Sequence, residues 1–216
     1  MPPVRLDRDG DVAELVLDAP PLNLFDEAVL AGGAELTARY LDVTHRIEAL
    51  PLPTLAVAHG LCLTAGFELS LACDLLWAAR GVQFGLVEKV VGITPLMGGT
   101  QRVADRAGAA RARELVMTGG LYTAETLHEW GVVNRVLDRG DLLDTARRFA
   151  AGLAAGPTRA HAATKAVVKA QSDHGVAGAD ADVARLTSHL FETRDTREAI
   201  ETFLTQGPGK ATFTGE

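Results

Sequence analysis

Two glutamates, Glu68 and Glu88, lie where a carboxylate is not expected without a reason. Glu68 falls inside "TLAVAHGLCLTAGFELSLACDLLWAA", residues 54–79, which is apolar almost throughout. Glu88 follows between a short apolar run and a glycine-rich loop. Because two carboxylates in one dry pocket do not both ionise cheaply, one of them keeps its proton. Such a pair supplies an acid and a base near neutral pH, as adding or removing water across a double bond requires.

Gly66 lies two residues before the first of these glutamates and is predicted to stand at the start of a helix. The first N–H groups of a helix lack internal partners and carry the positive end of its dipole. Glycine has no side chain to block the approach of a ligand oxygen. We therefore predict that the Gly66 N–H forms half of an oxyanion hole, which stabilises a thioester enolate.

A structural interpretation of the same residues stays open on spacing alone. A glutamate near a helix start is more often a dipole partner than a catalyst. Glu88 is followed by Lys89, as in a solvated charge pair, and Asp74 is predicted to be a satisfied structural carboxylate.

The composition predicts a globular protein and argues against nucleic acid as a partner. Of the 216 residues 47% are hydrophobic, enough for a core, and the net charge of −7 offers no basic stripe. Cys62 and Cys73 show no metal-ligand or redox spacing, so no metal site is predicted and both are expected to be core residues. Residues 52–79 contain Glu68 and Asp74, which excludes a membrane span, and the start has no secretory signal. The expected location is the cytoplasm.

Apolar spacing predicts an α/β core at residues 1–140 and a C-terminal helical lobe at 141–216. The predicted strands are residues 4–8, 12–17, 54–60 and 132–137, with 81–85 a short strand or turn. Asp9-Gly10 is predicted to form the hairpin turn between the first two strands. The predicted helices are residues 35–50, 66–79, 100–106, 109–117, 124–130, 142–153, 157–170, 180–191 and 196–205.

Further predictions concern helix ends and basic residues. Thr100 and Thr123 are predicted N-caps, and "DTRE" (195–198) is predicted to form a capping box with Asp195 as its cap. A basic cluster is predicted to be a solvated face or a subunit contact, with a CoA phosphate as the alternative; it comprises Arg102, Arg106, Arg111 and Arg113.

Four motifs, in order, resemble the enoyl-CoA hydratase/isomerase family, the crotonase superfamily. They are "PPLNLF", "HGLCLTAGFELSLACDLLWAA", "VQFGLVEKVVGITPLMGGTQR" and "MTGGLYTAETLHEWGVVNRVL". The resemblance covers nearly the whole chain. It implies a crotonase-like spiral of ββα units with C-terminal helices that support a homotrimer, often doubled to a hexamer.

The resemblance also implies a reaction. The oxyanion-hole glycine maps onto Gly66, and the two hydratase glutamates map onto Glu68 and Glu88. Members that only shift double bonds usually keep the second glutamate and lose the first. The chain therefore looks like an enoyl-CoA hydratase of fatty acid metabolism that adds water syn to a 2-enoyl-CoA. No metal or redox cofactor is expected, and CoA enters with the substrate. An isomerase or other enolate chemistry, and a non-catalytic subunit, remain as alternatives.

The chain also departs from the family pattern. Val87 stands where a proline is common, and Pro95-Leu96-Met97 replaces a common Pro-Gly. Between about residues 28 and 34 the family has a longer segment with a loop of the type "FSAGADL", which carries the first oxyanion N–H. If that segment is truly absent, the lost donor is worth roughly 3 kcal/mol, or about 10²–10³ in rate. Alternatively, the segment belongs to the protein and is missing from the sequence as written.

Overall fold

The computed structural model describes residues 4–17 and 33–216, which form two compact units. The first unit includes Thr54–Arg147 and the residues up to Ala49, and the second consists of Leu50–Pro53 and Arg148–Glu216. "PPLNLF" and residues 28–32 of the predicted family gap lie outside the described residues. The strands are β1 Val4–Asp9, β2 Val12–Leu17, β3 Leu55–Ala58, β4 Cys62–Leu63, β5 Leu75–Ala79, β6 Gln83–Gly85, β7 Tyr122–Thr123 and β8 Arg135–Leu137. The α-helices are α1 Gly33–Glu48, α2 Thr64–Ala72, α3 Gly99–Ala107, α4 Ala109–Thr118, α5 Ala124–Glu129, α6 Arg139–Ala154, α7 Thr158–Thr187 and α8 Arg194–Gln206.

The hairpin predicted around Asp9-Gly10 is confirmed. Strands β1 and β2 pair antiparallel, with Asp9 opposite Val12, and Gly10 has a φ of 57° in the turn. Glycine reaches this left-handed conformation at low cost, which is why the dipeptide favours a hairpin.

The central sheet of the first unit is parallel, in the order β3-β5-β8. Its middle strand corrects the prediction of one helix over residues 66–79, because α2 ends at Ala72 and Leu75–Ala79 is extended. Both edges of β5 are hydrogen-bonded, and its Leu76 and Trp77 are fully buried. A strand that is apolar on both faces has no period of two, so its pattern cannot be told from that of a buried helix.

A second small sheet, β4-β6-β7, positions the two glutamate segments. Strands β4 and β6 run parallel, with Cys62 opposite Phe84. Strand β4 leads directly into α2, and a 3₁₀ helix at Glu88–Val91 begins three residues after β6. Because parallel strands end at the same edge of a sheet, both glutamates follow strands that end side by side.

The basic cluster does not form one solvated face. The partly buried Arg106 guanidinium donates to the carbonyl oxygens of Leu71 at 2.9 Å, Cys73 at 2.6 Å and Val132 at 3.2 Å. It therefore links α3 to the end of α2 and to the turn before β8. Burial lowers the pKa of this guanidinium because it disfavours the charged form, and the three carbonyl oxygens that accept its hydrogen bonds compensate for part of the lost hydration. Arg102 is also largely enclosed, while the Arg111 guanidinium lies over the Trp130 ring.

Two predicted caps are wrong and one is confirmed. Thr123 caps α5 by accepting the Thr126 N–H at 3.2 Å, as predicted. Thr100 lies inside α3, whose N-cap is Gly98, and Thr193 caps α8 in place of Asp195. The Asp195 carboxylate sits in the first turn instead. There it accepts the N–H groups of Thr214 and Gly215 at 2.9 and 2.8 Å, partners that no local pattern reveals.

The second unit is built on α7 and α8. Residues 157–170 and 180–191 were predicted to be separate helices, and the range Thr158–Thr187 does contain two helices, which meet at Gly175, whose φ of 72° and ψ of 178° are not helical. A 3₁₀ turn at Ser188–Glu192 then leads into α8. No helix in the described ranges is both long enough and apolar enough to cross a bilayer.

We expect Arg106→Met to lower the free energy of unfolding by about 3 kcal/mol, because it leaves three carbonyl oxygens without their charged donor. Urea unfolding followed by circular dichroism measures this. Arg113→Met, at an exposed position on α4, should change stability little. Equal stability of the two variants would contradict a structural role for Arg106.

Candidate active site

Glu68 is enclosed by the protein and held at one carboxylate oxygen. The residue is 2% exposed, on the second turn of α2. Its Oε1 accepts the N–H of Met97 at 2.8 Å and the N–H of Gly99 at 2.9 Å. A Cβ on Gly99 would lie 2.8 Å from Glu68 Cγ, so only glycine permits this approach. The turn before α3 thus fixes the position of the carboxylate.

The environment of Glu68 combines opposing electrostatic effects. Burial raises the pKa of Glu68 above its ordinary value, and the two N–H donors and the nearby positive charge of Arg102 offset only part of that rise. Its second oxygen, Oε2, receives no hydrogen bond from any described residue. One oxygen is therefore fixed and the other is available to a ligand or to water.

Glu88 opens the 3₁₀ helix and has a different environment. Its Oε2 is buried and has no hydrogen-bond partner among residues 4–17 and 33–216. Burial raises the pKa of Glu88 to about 7, its own backbone N–H opposes the rise, and the negative charge of Glu68 adds to it. The proton is therefore bound at pH values below about 7. The two glutamates, predicted from sequence as a pair, are close enough to interact.

Gly66 lies in the first turn of α2, as the third residue of that helix. The preceding N-cap, Leu63, offers no side-chain hydrogen bond to the turn, and a Cβ built on Gly66 would meet no atom of residues 4–17 or 33–216 within 4 Å. None of these residues therefore blocks the approach of a ligand to Gly66 in this turn, where helical N–H groups lack internal partners. The role of Gly66 as an oxyanion donor stays a prediction.

Thr64, the first residue of α2, has a φ of 46° and is the one non-glycine residue with a positive φ in the described part of the chain. A β-branched residue in this conformation is strained by about 1–3 kcal/mol. Thr64 and Gly66 belong to the same first turn of α2, so the strained residue lies two residues before Gly66.

The residues that hold Glu68 were not predicted from the sequence. Met97 is buried, and its backbone N–H donates to the carboxylate. The signal that could have identified this turn is the pair Gly98-Gly99, because adjacent glycines often mark a close approach of backbone to another group. Asp74 is satisfied as predicted, since it accepts both the N–H and the hydroxyl of Thr54.

Other chemistry has less support from the described residues. They contain no group of three or more His, Cys, Asp and Glu side chains that could hold a metal ion. Burial raises the pKa of the Cys62 thiol to about 11, which keeps it protonated and unreactive. A surface cavity of about 220 Å³ lies elsewhere on the first unit, and neither glutamate lines it; its walls are Gly60, Leu61, Arg80, Gly81, Val82, Gln83 and Arg139.

In this mixed α/β fold, two interacting carboxylates lie near the start of a helix, an arrangement suited to acid–base chemistry. The chain belongs to the enoyl-CoA hydratase/isomerase family, whose profile matches residues 25–215. The carnitinyl-CoA dehydratase of Salmonella enteritidis is 39% identical over 213 residues, covering 79% of this chain and 81% of that protein. A probable enoyl-CoA hydratase of Mycobacterium bovis is 29% identical over 206 residues, covering 93% of this chain and 80% of that protein.

Solved structures agree with this assignment. An enoyl-CoA hydratase of Mycobacterium smegmatis has a TM-score of 0.85 and 26% identity, covering 94% of this chain and 96% of that one. An enoyl-CoA hydratase of Bacillus anthracis shares the fold with a TM-score of 0.87 at 22% identity, covering 99% of this chain and all of that one. The predicted family and the α/β crotonase fold with a C-terminal helical region are confirmed.

We expect the side chain of Glu88 to titrate near pH 7, and Glu68→Gln to lower that midpoint because it removes a neighbouring negative charge. Carbon-13 NMR of labelled glutamate carboxyl groups measures both values, with Glu88→Gln assigning the signal. The exposed Glu129→Gln is the control and should leave the Glu88 midpoint unchanged. A midpoint near 4.5, the ordinary value for glutamate, would contradict the buried, interacting environment.

Proposed function

We propose that this protein hydrates a 2-enoyl-CoA thioester by syn addition of water, with Glu68 and Glu88 as the acid–base pair. The supporting observation is the buried Glu68 carboxylate, held by two backbone N–H groups and interacting with a second, partly buried glutamate. A carboxylate with a purely structural role gains nothing from a second carboxylate nearby, because the repulsion between two negative charges destabilises both. A water-adding site needs two carboxylates in different protonation states.

The geometry favours a division of roles between the two glutamates. The N–H groups on Glu68 Oε1 only donate, so they favour the ionised form, and Oε2 is then available to take a proton from water. Glu88 has a pKa of about 7 and holds a proton that its unpartnered oxygen can deliver. Hydroxide from the water adds to the β carbon of the substrate, and the proton of Glu88 goes to the α carbon. Proton transfer from Glu68 back to Glu88 restores the starting state.

The negative charge that develops on the thioester oxygen needs hydrogen-bond donors. The first turn of α2 supplies them in the proposal, with Gly66 as the predicted donor. The helix dipole adds a favourable potential at the same place.

The proposal requires no metal or redox cofactor, because both protons move between water, carboxylates and substrate. CoA enters and leaves as part of the thioester. The relative named carnitinyl-CoA dehydratase fits the same chemistry run towards loss of water. A homotrimer or hexamer in the cytoplasm, implied by the resemblance, completes the proposal.

We expect Glu68→Gln and Glu88→Gln each to lower kcat for crotonyl-CoA hydration by roughly 10²- to 10⁴-fold, because each removes one acid–base group. Loss of the enoyl-thioester absorbance measures the rate. The exposed Glu129→Gln should retain wild-type activity.

The same variants separate the alternatives. An enzyme that shifts double bonds through Glu88 alone would keep its isomerase activity in Glu68→Gln. A folded protein that turns over no enoyl-CoA at all would be a non-catalytic member of the family.

We expect the intact mass of the purified protein to exceed 22.8 kDa by several kilodaltons, because a complete oxyanion hole needs a donor from the segment missing near residues 28–34. Mass spectrometry with peptide coverage from Leu30 to Leu36 tests this. A mass of 22.8 kDa, with Gly33 joined directly to Ala34, would instead favour the non-catalytic alternative.

A further inference from the structure

Arg102 forms a bidentate ion pair with Glu48, the last residue of α1. Its Nε donates to Glu48 Oε1 at 2.7 Å, and its Nη2 donates to Glu48 Oε2 at 2.8 Å. The side chains of Arg102 and Glu48 are 11% and 31% exposed, which limits screening by water. This paired geometry fixes the plane of the guanidinium.

The third guanidinium nitrogen of Arg102, Nη1, contacts the turn whose N–H groups bind Glu68. Its Nη1 donates to the Met97 carbonyl oxygen at 3.0 Å, while the Met97 N–H donates to Glu68 Oε1 at 2.8 Å. A Cβ on Gly98 would lie 1.8 Å from Arg102 Nη1, so the guanidinium packs directly on this turn. The Met97–Gly99 turn is therefore fixed between the arginine on one side and the carboxylate on the other.

We propose that Arg102, oriented by Glu48, is a positioning residue that fixes the Met97–Gly99 turn and thereby the orientation of Glu68. The inference rests on the proposed function for its effect on rate, but the contacts that carry it do not depend on the substrate. Arg102 acts through backbone groups, and none of its three bonds is made to the reacting carboxylates.

The charged groups around Glu68 determine how the loss of Arg102 changes the pKa of Glu68. Arg102 contributes a positive charge from α3, itself compensated by Glu48 from α1, and Glu88 on the 3₁₀ helix is close enough to interact with Glu68. Removing the arginine removes the positive charge that favours the ionised form of Glu68 and loosens two N–H donors. Both changes raise the pKa of Glu68 and weaken it as a carboxylate base.

The test compares Arg102→Met, Arg102→Lys and Glu48→Gln with Arg106→Met. Arg106 is a partly buried arginine on the same helix, and its hydrogen bonds go to the carbonyl oxygens of Leu71, Cys73 and Val132 and not to the Met97 turn. It therefore controls for loss of stability.

The readouts are the Glu68 midpoint by carbon-13 NMR, and kcat and KM for crotonyl-CoA. We expect Arg102→Met to raise the Glu68 midpoint and to lower kcat by roughly 10²-fold with little change in KM, as for a misplaced catalytic group. Arg102→Lys keeps the positive charge but cannot make the bidentate hydrogen bonds to Glu48. It should lower kcat with a smaller shift of the midpoint, and Glu48→Gln should lower kcat in part.

An unchanged Glu68 midpoint and kcat in a folded Arg102 variant would overturn the positioning role. The same changes in Arg106→Met would overturn it too, since they would then follow from lost stability. If Arg102→Met does not fold, the lysine and Glu48→Gln variants decide by the same measurements. If the protein hydrates no enoyl-CoA, a shifted midpoint in Arg102→Met still supports positioning while the proposed function fails.

Discussion

The burial of the Glu68 carboxylate is the constraint on which the site depends. An ionised carboxylate removed from water is costly unless donors replace the lost hydration. The turn at Met97–Gly99 provides two donors, and it can approach only because residue 99 has no side chain. Strand β4 fixes where α2 begins, and the packing of α3 against α2 brings the turn to the carboxylate. The local fold thus offsets part of the cost of burying this carboxylate.

The two glutamates differ because their surroundings differ. Glu68 has backbone donors and a nearby arginine, while Glu88 has a buried oxygen with no described partner and a negative neighbour. Identical side chains therefore lie in different environments, and the proposed division of acid and base roles rests on that difference.

The features that sequence patterns predicted correctly are those that depend on residues close together in the chain. The Asp9-Gly10 turn, the Thr123 cap and the two glutamates could all be predicted, because each depends on residue type at a short spacing. Strand β5 could not, since a segment buried on both faces loses its period. Backbone donors such as the Met97 N–H are present at every non-proline position, so no residue type reveals which of them a fold will use. The distant partners of Asp195 were hidden for the same reason.

The 3₁₀ helix that carries Glu88 has a consequence for the divergence of this family. It is only four residues long, and its Val90 and Val91 are 78% and 66% exposed, whereas the helix that carries Glu68 is built into the core. Substitutions around Glu88 thus disturb little packing, while those around Glu68 disturb the fold. Pocket shape can therefore diverge beside Glu88 at little cost in stability, whereas a change beside Glu68 has to be compensated within the core.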